Sequence, residues 1–476
     1  MIQTVQHRES ATSVQAASLH AYLRTLHGRP TELRTVSREV NPLEFEVTAI
    51  LEHLERRREF PAVLFERTRN MHGDASAFPI LSNLWGTRER CAEMLGLPPE
   101  QSKRELSLHF AELMRQHIPP VVVARDAAPV QAHVYQGEQA DMWMLPGVRH
   151  FEMDLGAVLT MAHIMHAPGE SFYNVTFAKT FPESGQRGGL TIHTPHLSRM
   201  LREWERRGER APIVNVLGHH PAFWLGSLSL TGYGNDDYAT CGAFLGEPLR
   251  LAPSVTWGSD FMVPADAEIV IEGELVPGER TVVDPFGEIS RLYQAQELGP
   301  LMEVKALYHR DGAILQDVFS GHPEHFILGL IPREGSLLNQ LEQRVGGVSA
   351  VHLPHSGTGR FVCYVSVRKL DEGHPKHVAL QALAISPTFQ VVVVVDEDID
   401  VFSEEDVLWA INTYVDPMRD VDFIRNMGRD SERMMGNGRL LIDATRPTHI
   451  AFPSQLRVPA SAMERIRLED WLDPIR

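Results

Sequence analysis

The segment Glu268-Ile-Val-Ile-Glu-Gly-Glu-Leu-Val-Pro-Gly-Glu-Arg-Thr-Val-Val-Asp-Pro-Phe-Gly-Glu-Ile-Ser-Arg291 decides how the rest of the chain is read. Its apolar, β-branched run Ile269-Val270-Ile271 predicts a strand. Pro277-Gly278 predicts a turn, Thr281-Val282-Val283 a return to extended chain, and Asp284-Pro285-Phe286-Gly287-Glu288 a fixed bend. Pro285 disfavours helical geometry at Asp284, and Gly287 would accept a backbone angle closed to other residues. The bend therefore holds two carboxylates, one on each side of a phenylalanine. Such a pair suits proton transfer, because its surroundings can keep one member protonated while the other stays ionised. The same residue types also make ordinary solvated turns.

Composition narrows the function classes. The chain has 476 residues, 43% hydrophobic and 22% charged, enough for two or three domains with a sizeable core. Its net charge of −17 argues against sequence-independent binding to nucleic acid or anionic membranes, which needs a basic surface. The three cysteines, Cys91, Cys241 and Cys363, are far apart and read as reduced core thiols of a cytoplasmic protein. No apolar run is long enough for a membrane span, and the N-terminus lacks a signal-peptide pattern.

Ala267 to Gly273 followed by Pro285 to Glu288 resembles the UbiD family of decarboxylases, whose signature joins an Ala-Glu-Ile-Val-Ile-Glu-Gly strand to a Pro-Phe-Gly-Glu/Asp bend. The resemblance implies reversible, non-oxidative decarboxylation of an aromatic or heteroaromatic acid on prenylated FMN, with a flavin prenyltransferase supplying the cofactor. It also implies an α/β (α+β) chain of three parts, assembled as a homodimer or homohexamer. These are an N-terminal α/β domain (1–118), a flavin-reductase-like split β-barrel (119–315), and a C-terminal α/β domain ending in an oligomerisation helix (316–476).

Periodicity agrees with that division. Helices are predicted over 14–27, capped by Ser13, from Asn41-Pro42 to Arg58, and over 87–95, with strands at 62–65 and 79–83. Arg88 and Arg90 read as a solvated helix face. Short strands dominate from 150 to 310, at 158–163, 172–177, 190–192, 213–217, 269–272 and 302–308, interrupted by a helix over 195–206. Later, 359–367 and 391–395 read as strands buried on both faces, with helices over 374–383 and 404–414. Residues 460–471 predict one amphipathic helix free to dock on a neighbouring subunit.

The resemblance carries over to individual residues. Asn174, His196 and Asp237 fall at the family's metal-binding positions, and their N/O donors suit Mn²⁺ or Mg²⁺ bridging to a flavin phosphate. Taken alone, they read as a turn residue, a helix-end histidine and a loop acid. Thr176, Phe177, Ala178, Lys179, Pro195 and Ser229 complete the expected cofactor contacts, with K⁺ on main-chain carbonyls around Ser227 to Ser229. Glu288 is the expected proton donor. Lys179 stands where the family usually has Arg, and Lys cannot make a bidentate fork. Asp284 sits beside Val283, where the family usually has a second glutamate. His322 and His325 are expected to serve the substrate through at least one of the pair, His352 and His355 being weaker candidates. Arg333 and Glu334 read as helix-start residues. Lys179 and the histidine pair lean towards a ring acid carrying a second polar group. Two other classes remain open: an oxidoreductase on unmodified FMN, for which no dinucleotide fingerprint is found, and a non-catalytic flavin-binding partner.

Overall fold

The expected strand and the residues after it form one element. In the computed structural model, which describes residues 17–427, 438–453, 455–456 and 458–471, the strand Ile269–Val283 runs unbroken through the predicted turn. Pro277-Gly278 is absorbed as a bulge: the register against Glu297–His309 shifts between Leu275 and Arg280. A proline lacks an N–H and Gly278 takes φ +73°, so the extra residues loop out without ending the pairing.

That strand closes a barrel. Six antiparallel strands follow one another around it: Ile269–Val283, Ala211–Val216, Leu159–Met165, Asn174–Pro182, Arg187–Thr191 and Glu297–His309, the last pairing back with the first. Closure removes the exposed strand edges. All six positions predicted as strands lie in this barrel, most of them extended by several residues. The sequence reading missed His133–Gln136, which adds to the outside, and a three-stranded sheet made of Gly258–Pro264, Arg250–Ser254 and Val121–Val122.

The N-terminal part carries the expected helices and strands with corrected limits. Ser18, not Ser13, caps the first helix, Leu19–Leu26, its hydroxyl accepting from the Ala21 N–H at 3.2 Å; Ser13 lies outside the described residues. The second begins as a 3₁₀ turn, breaks at Phe45 (φ +61°), and becomes α-helical over Glu46–Arg56. Its sheet has the order Leu33–Val36, Ala62–Phe65, Ile80–Ser82, Leu315–Gln316, so the chain leaving the barrel returns to the N-terminal sheet. Arg90 is no solvated residue. It is wholly buried, its guanidinium donating to the carbonyls of Asn83 (3.0 Å) and Leu84 (3.3 Å) and to Glu32 (3.1 Å). Arg88 is also drawn inward, onto Glu334 at 2.9 Å.

The helix Pro323–Arg344 leads into the C-terminal part, where a five-stranded sheet has Val362–Val367 and Val391–Asp396 at its centre. Both are almost continuously buried, as expected of strands covered on two faces. Arg333 and Glu334 are mid-helix residues: the N-cap is His322, eleven positions before Arg333. Gly335 on this helix lies against Arg104–Leu113, where an added Cβ would stand 1.8 Å from the Ser107 carbonyl oxygen. The predicted terminal helix is two short pieces, Ala460–Arg465 and Leu468–Trp471. The three cysteines are buried and free, and among the described residues no helix is long and apolar enough to cross a membrane.

Candidate active site

The bend after the barrel strand is held differently from the expectation. The left-handed angle falls on Asp284 (φ +58°), one of the residue types that tolerates it at a cost of about 1 kcal/mol. Gly287 is needed for space instead, because an added Cβ would lie 2.4 Å from the Phe151 ring. Asp154 on the neighbouring loop accepts from the Gly287 N–H at 3.2 Å and from the Phe151 N–H at 2.8 Å, tying loop to bend. Phe286 is wholly buried, and its ring stands 4.5 Å from the Lys179 Nζ.

Lys179 comes from the barrel strand Asn174–Pro182 and makes an ion pair with Glu288. Burial pushes the Glu288 carboxyl up, but the charge and hydrogen bond of Lys179 outweigh it and hold it below its ordinary value. Asp284 behaves in the opposite way. It is fully buried with neither carboxylate oxygen hydrogen-bonded, and burial raises it to about 6 against the pull of Lys179. The two carboxylates of the bend thus have their affinities for protons pushed apart.

Lys179 and Glu288 form part of the wall of a cavity of about 490 Å³ between the barrel and the helix Pro323–Arg344. The same cavity is lined by Asn174, Thr176, Phe177, Ala178, Pro195, His196, Ser229 and His325. Asp237 stands directly behind Asn174. Its carboxylate accepts from Asn174 Nδ2 at 2.8 Å and the Val175 N–H at 2.9 Å, and from Thr231 Oγ1 at 3.0 Å. This leaves Asn174 Oδ1 buried and unpartnered, a carbonyl oxygen suited to a hard cation. Asp237 itself is raised by burial to about 6, as expected of a carboxylate placed where positive charge would relieve it. Asn174 and His196 face the cavity directly, and Asp237 reaches it only through Asn174.

His322 and His325 part company. His325 lines the cavity and its Nδ1 accepts from the Gly321 N–H at 3.3 Å, so Nε2 carries the ring proton. Burial lowers it to about 4, leaving it neutral near pH 7. His322 caps the helix outside the cavity wall, stacked on Phe319 at 4.8 Å between ring centroids. His352 closes a strand and binds Glu334 at 2.8 Å, so it serves the packing of the C-terminal part.

Among the cavity residues the sequence reading overlooked are Arg333 and Arg360. Arg333 is half-buried, donates to the Gly329 carbonyl, and has no carboxylate partner among the described residues. Burial, with Arg360 nearby, lowers its pKa to about 9. A signal was available: counted from His325, Leu328, Gly329, Pro332 and Arg333 lie three, four, seven and eight residues on, one helical face.

Comparison with known proteins follows this geometry. Models of the three domains of 3-octaprenyl-4-hydroxybenzoate carboxy-lyase match residues 26–108 (N-terminal domain), 121–323 (Rift-related domain) and 326–444 (C-terminal domain). The structure of an evolved dimeric form of the UbiD-class enzyme HmfF from Pelotomaculum thermopropionicum, in complex with prFMN, superposes with a TM-score of 0.85 at 32% identity, covering 96% of this chain and 100% of that one. HmfF in complex with FMN gives a TM-score of 0.87 at the same identity and coverage. The phenolic acid decarboxylase of Sedimentibacter hydroxybenzoicus is 29% identical over 438 residues, 87% of this chain and 89% of the relative. The barrel, the bend and these matches together place the chain in the UbiD family of carboxy-lyases.

Proposed function

We propose that the cavity binds prenylated FMN and reversibly decarboxylates an aromatic or heteroaromatic acid, with Glu288 giving the proton to the carbon that loses CO₂. The observation that carries this is the Lys179–Glu288 pair in the wall of the cavity that Asn174 and His196 also line. Loss of CO₂ from an sp² carbon leaves an electron pair with no place to go, and the bound cofactor supplies the sink. Asn174, His196 and Asp237 would hold Mn²⁺ or Mg²⁺ against its phosphate, and Thr176, Phe177, Ala178, Pro195 and Ser229 would line its bed.

The remaining chemistry belongs to the chain. Lys179 holds Glu288 ionised in the free enzyme. An incoming carboxylate competes for the same ammonium, which weakens that grip and raises the Glu288 pKa towards a value useful for a general acid. In the reverse direction Glu288 takes the proton back. Because Lys179 and Glu288 neutralise each other, the charge of Arg333, which has no carboxylate partner among the described residues, is left to meet the ligand. Burying a cation is costly unless an anion or strong acceptor faces it. With the His325 Nε2–H in the same cavity wall, Arg333 favours a ring acid bearing a second anionic or strongly accepting group.

The test is to purify the chain from cells able to prenylate FMN, identify the flavin by mass and absorbance, and follow CO₂ release from paired ring monoacids and diacids. Prenylated FMN and faster turnover of the diacids are expected. Unmodified FMN with consumption of reduced nicotinamide would overturn the reaction, and a preference for unsubstituted monoacids would overturn the role of Arg333.

A further inference from the structure

Each decarboxylation consumes one proton, and once a cavity is filled its acid no longer meets bulk water freely. A second group of titratable side chains lies beside the site, unused by the chemistry above. His193, on the loop after the strand Arg187–Thr191, and Glu297, opening the strand Glu297–His309, are both half-exposed. His193 Nε2 is 3.3 Å from Glu297 Oε1. The Asp284 carboxylate completes the group: one ligand-type atom from each of the three residues lies within 4.8 Å of the other two. Asp284 is the inner member, fully buried and with both oxygens unpartnered. A buried carboxylate oxygen without a hydrogen bond is unfavourable, so it needs an explanation.

Resting on the reading of Glu288 as proton donor, we infer that His193, Glu297 and Asp284 form a proton relay from solvent to the Lys179–Glu288 pair. The steps balance in protons alone. The electron pair of the broken C–C bond takes the Glu288 proton to form C–H. The Glu288 carboxylate is then recharged by Lys179, whose ammonium gives up one proton and takes one from Asp284. Asp284 regains its proton from His193 or Glu297, which draw on water. The charges acting on Asp284 fit this task. Burial raises it to about 6, Lys179 draws it down, and Glu288, Glu297 and Asp154 push it up, so it can hold a proton close to neutral pH. A cation bound by the three residues is the competing reading, and the charge of Lys179 beside Asp284 weighs against it.

The experiment compares wild-type, His193→Asn/Glu297→Gln and Glu288→Gln holoenzymes between about pH 5 and pH 8, with and without imidazole. The half-exposed pair can be replaced without opening the core. The double variant should lose about tenfold in kcat at unchanged KM, most strongly at high pH, and imidazole should restore it. An unchanged kcat and pH profile would overturn the relay, as would a loss that imidazole does not restore. Infrared titration of the cofactor-free chain gives a second readout: a protonated carboxyl band absent from Asp284→Asn should vanish near pH 6. A band that vanishes in the ordinary carboxylate range would also overturn the relay. An active Glu288→Gln enzyme would remove the proton donor and the relay together, whereas an inactive one beside an unaffected double variant removes the relay alone.

Discussion

Glu334 and Glu288 are both largely buried glutamates beside a cation, yet they are built for opposite ends. Glu334 is completely enclosed and fully bonded. It accepts from Arg88 (2.9 Å), Ser107 Oγ (2.7 Å), His352 Nδ1 (2.8 Å) and the Leu353 N–H (3.0 Å), which join three segments of the chain. Burial alone would raise it, but these partners hold it at about 2. Glu288 has Lys179 and the Ile289 N–H, its side chain is 26% exposed to the cavity, and the nearby Asp284 has no partner. A carboxylate with every lone pair taken is a structural pin. One with few partners can change protonation state, and that incompleteness marks the site.

Substitutions sharpen the contrast. Glu288→Gln keeps size and burial and removes the titrating carboxyl. Decarboxylation by the holoenzyme should fall by about a thousandfold, since a positioned acid contributes roughly 10²–10⁴. Glu334→Gln should do the reverse, losing about 3 kcal/mol in denaturant unfolding by stranding Arg88, while enzyme that stays folded keeps its turnover. The pH dependence follows from the sign. The folded-state pKa of Glu334 is depressed, so its contribution is present above the ordinary glutamate value and is lost as pH falls towards 2. The variant should therefore lack that part of the acid destabilisation.

Lys179→Met should cost about a hundredfold in kcat and shift the alkaline limb of the rate profile upward, because Glu288 then loses the main charge that holds its pKa down. The smallest effect is expected at Asp284. Its folded pKa is raised from 3.8 to about 6, so the stability tied to its protonated form is lost as pH rises through that value. Asp284→Asn should stabilise the chain by about 2 kcal/mol above neutrality and by about half as much at pH 5, read from denaturant midpoints at the two pH values.

Much of this was legible from sequence, and the failures have physical causes. The barrel strands showed because β-branched alternation is a local signal, and Glu404–Tyr414 because Ser403 caps it and apolar residues recur along it. Pro277-Gly278 misled because a bulge and a turn share residue types; only pairing with Glu297–His309 separates them. Gly287 was assigned a backbone angle when its constraint is Phe151, over a hundred residues away in sequence. Arg90 looked solvated because the carbonyls it satisfies come from irregular chain that no periodicity reveals. At the site, the motif residues Asn174, Lys179, His196 and Glu288 were legible from a resemblance. Arg333 was missed although it shares a helical face with His325, and His193 lies on a loop with no periodicity to read.

The most direct test needs neither CO₂ nor an identified physiological direction. Holoenzyme is incubated in D₂O with the decarboxylated ring product, and deuterium entering the ring carbon is followed by NMR. Wild type should exchange that hydrogen steadily, Lys179→Met slowly, and Glu288→Gln not at all. Exchange by Glu288→Gln at the wild-type rate would contradict the account, because some other group would then carry the proton.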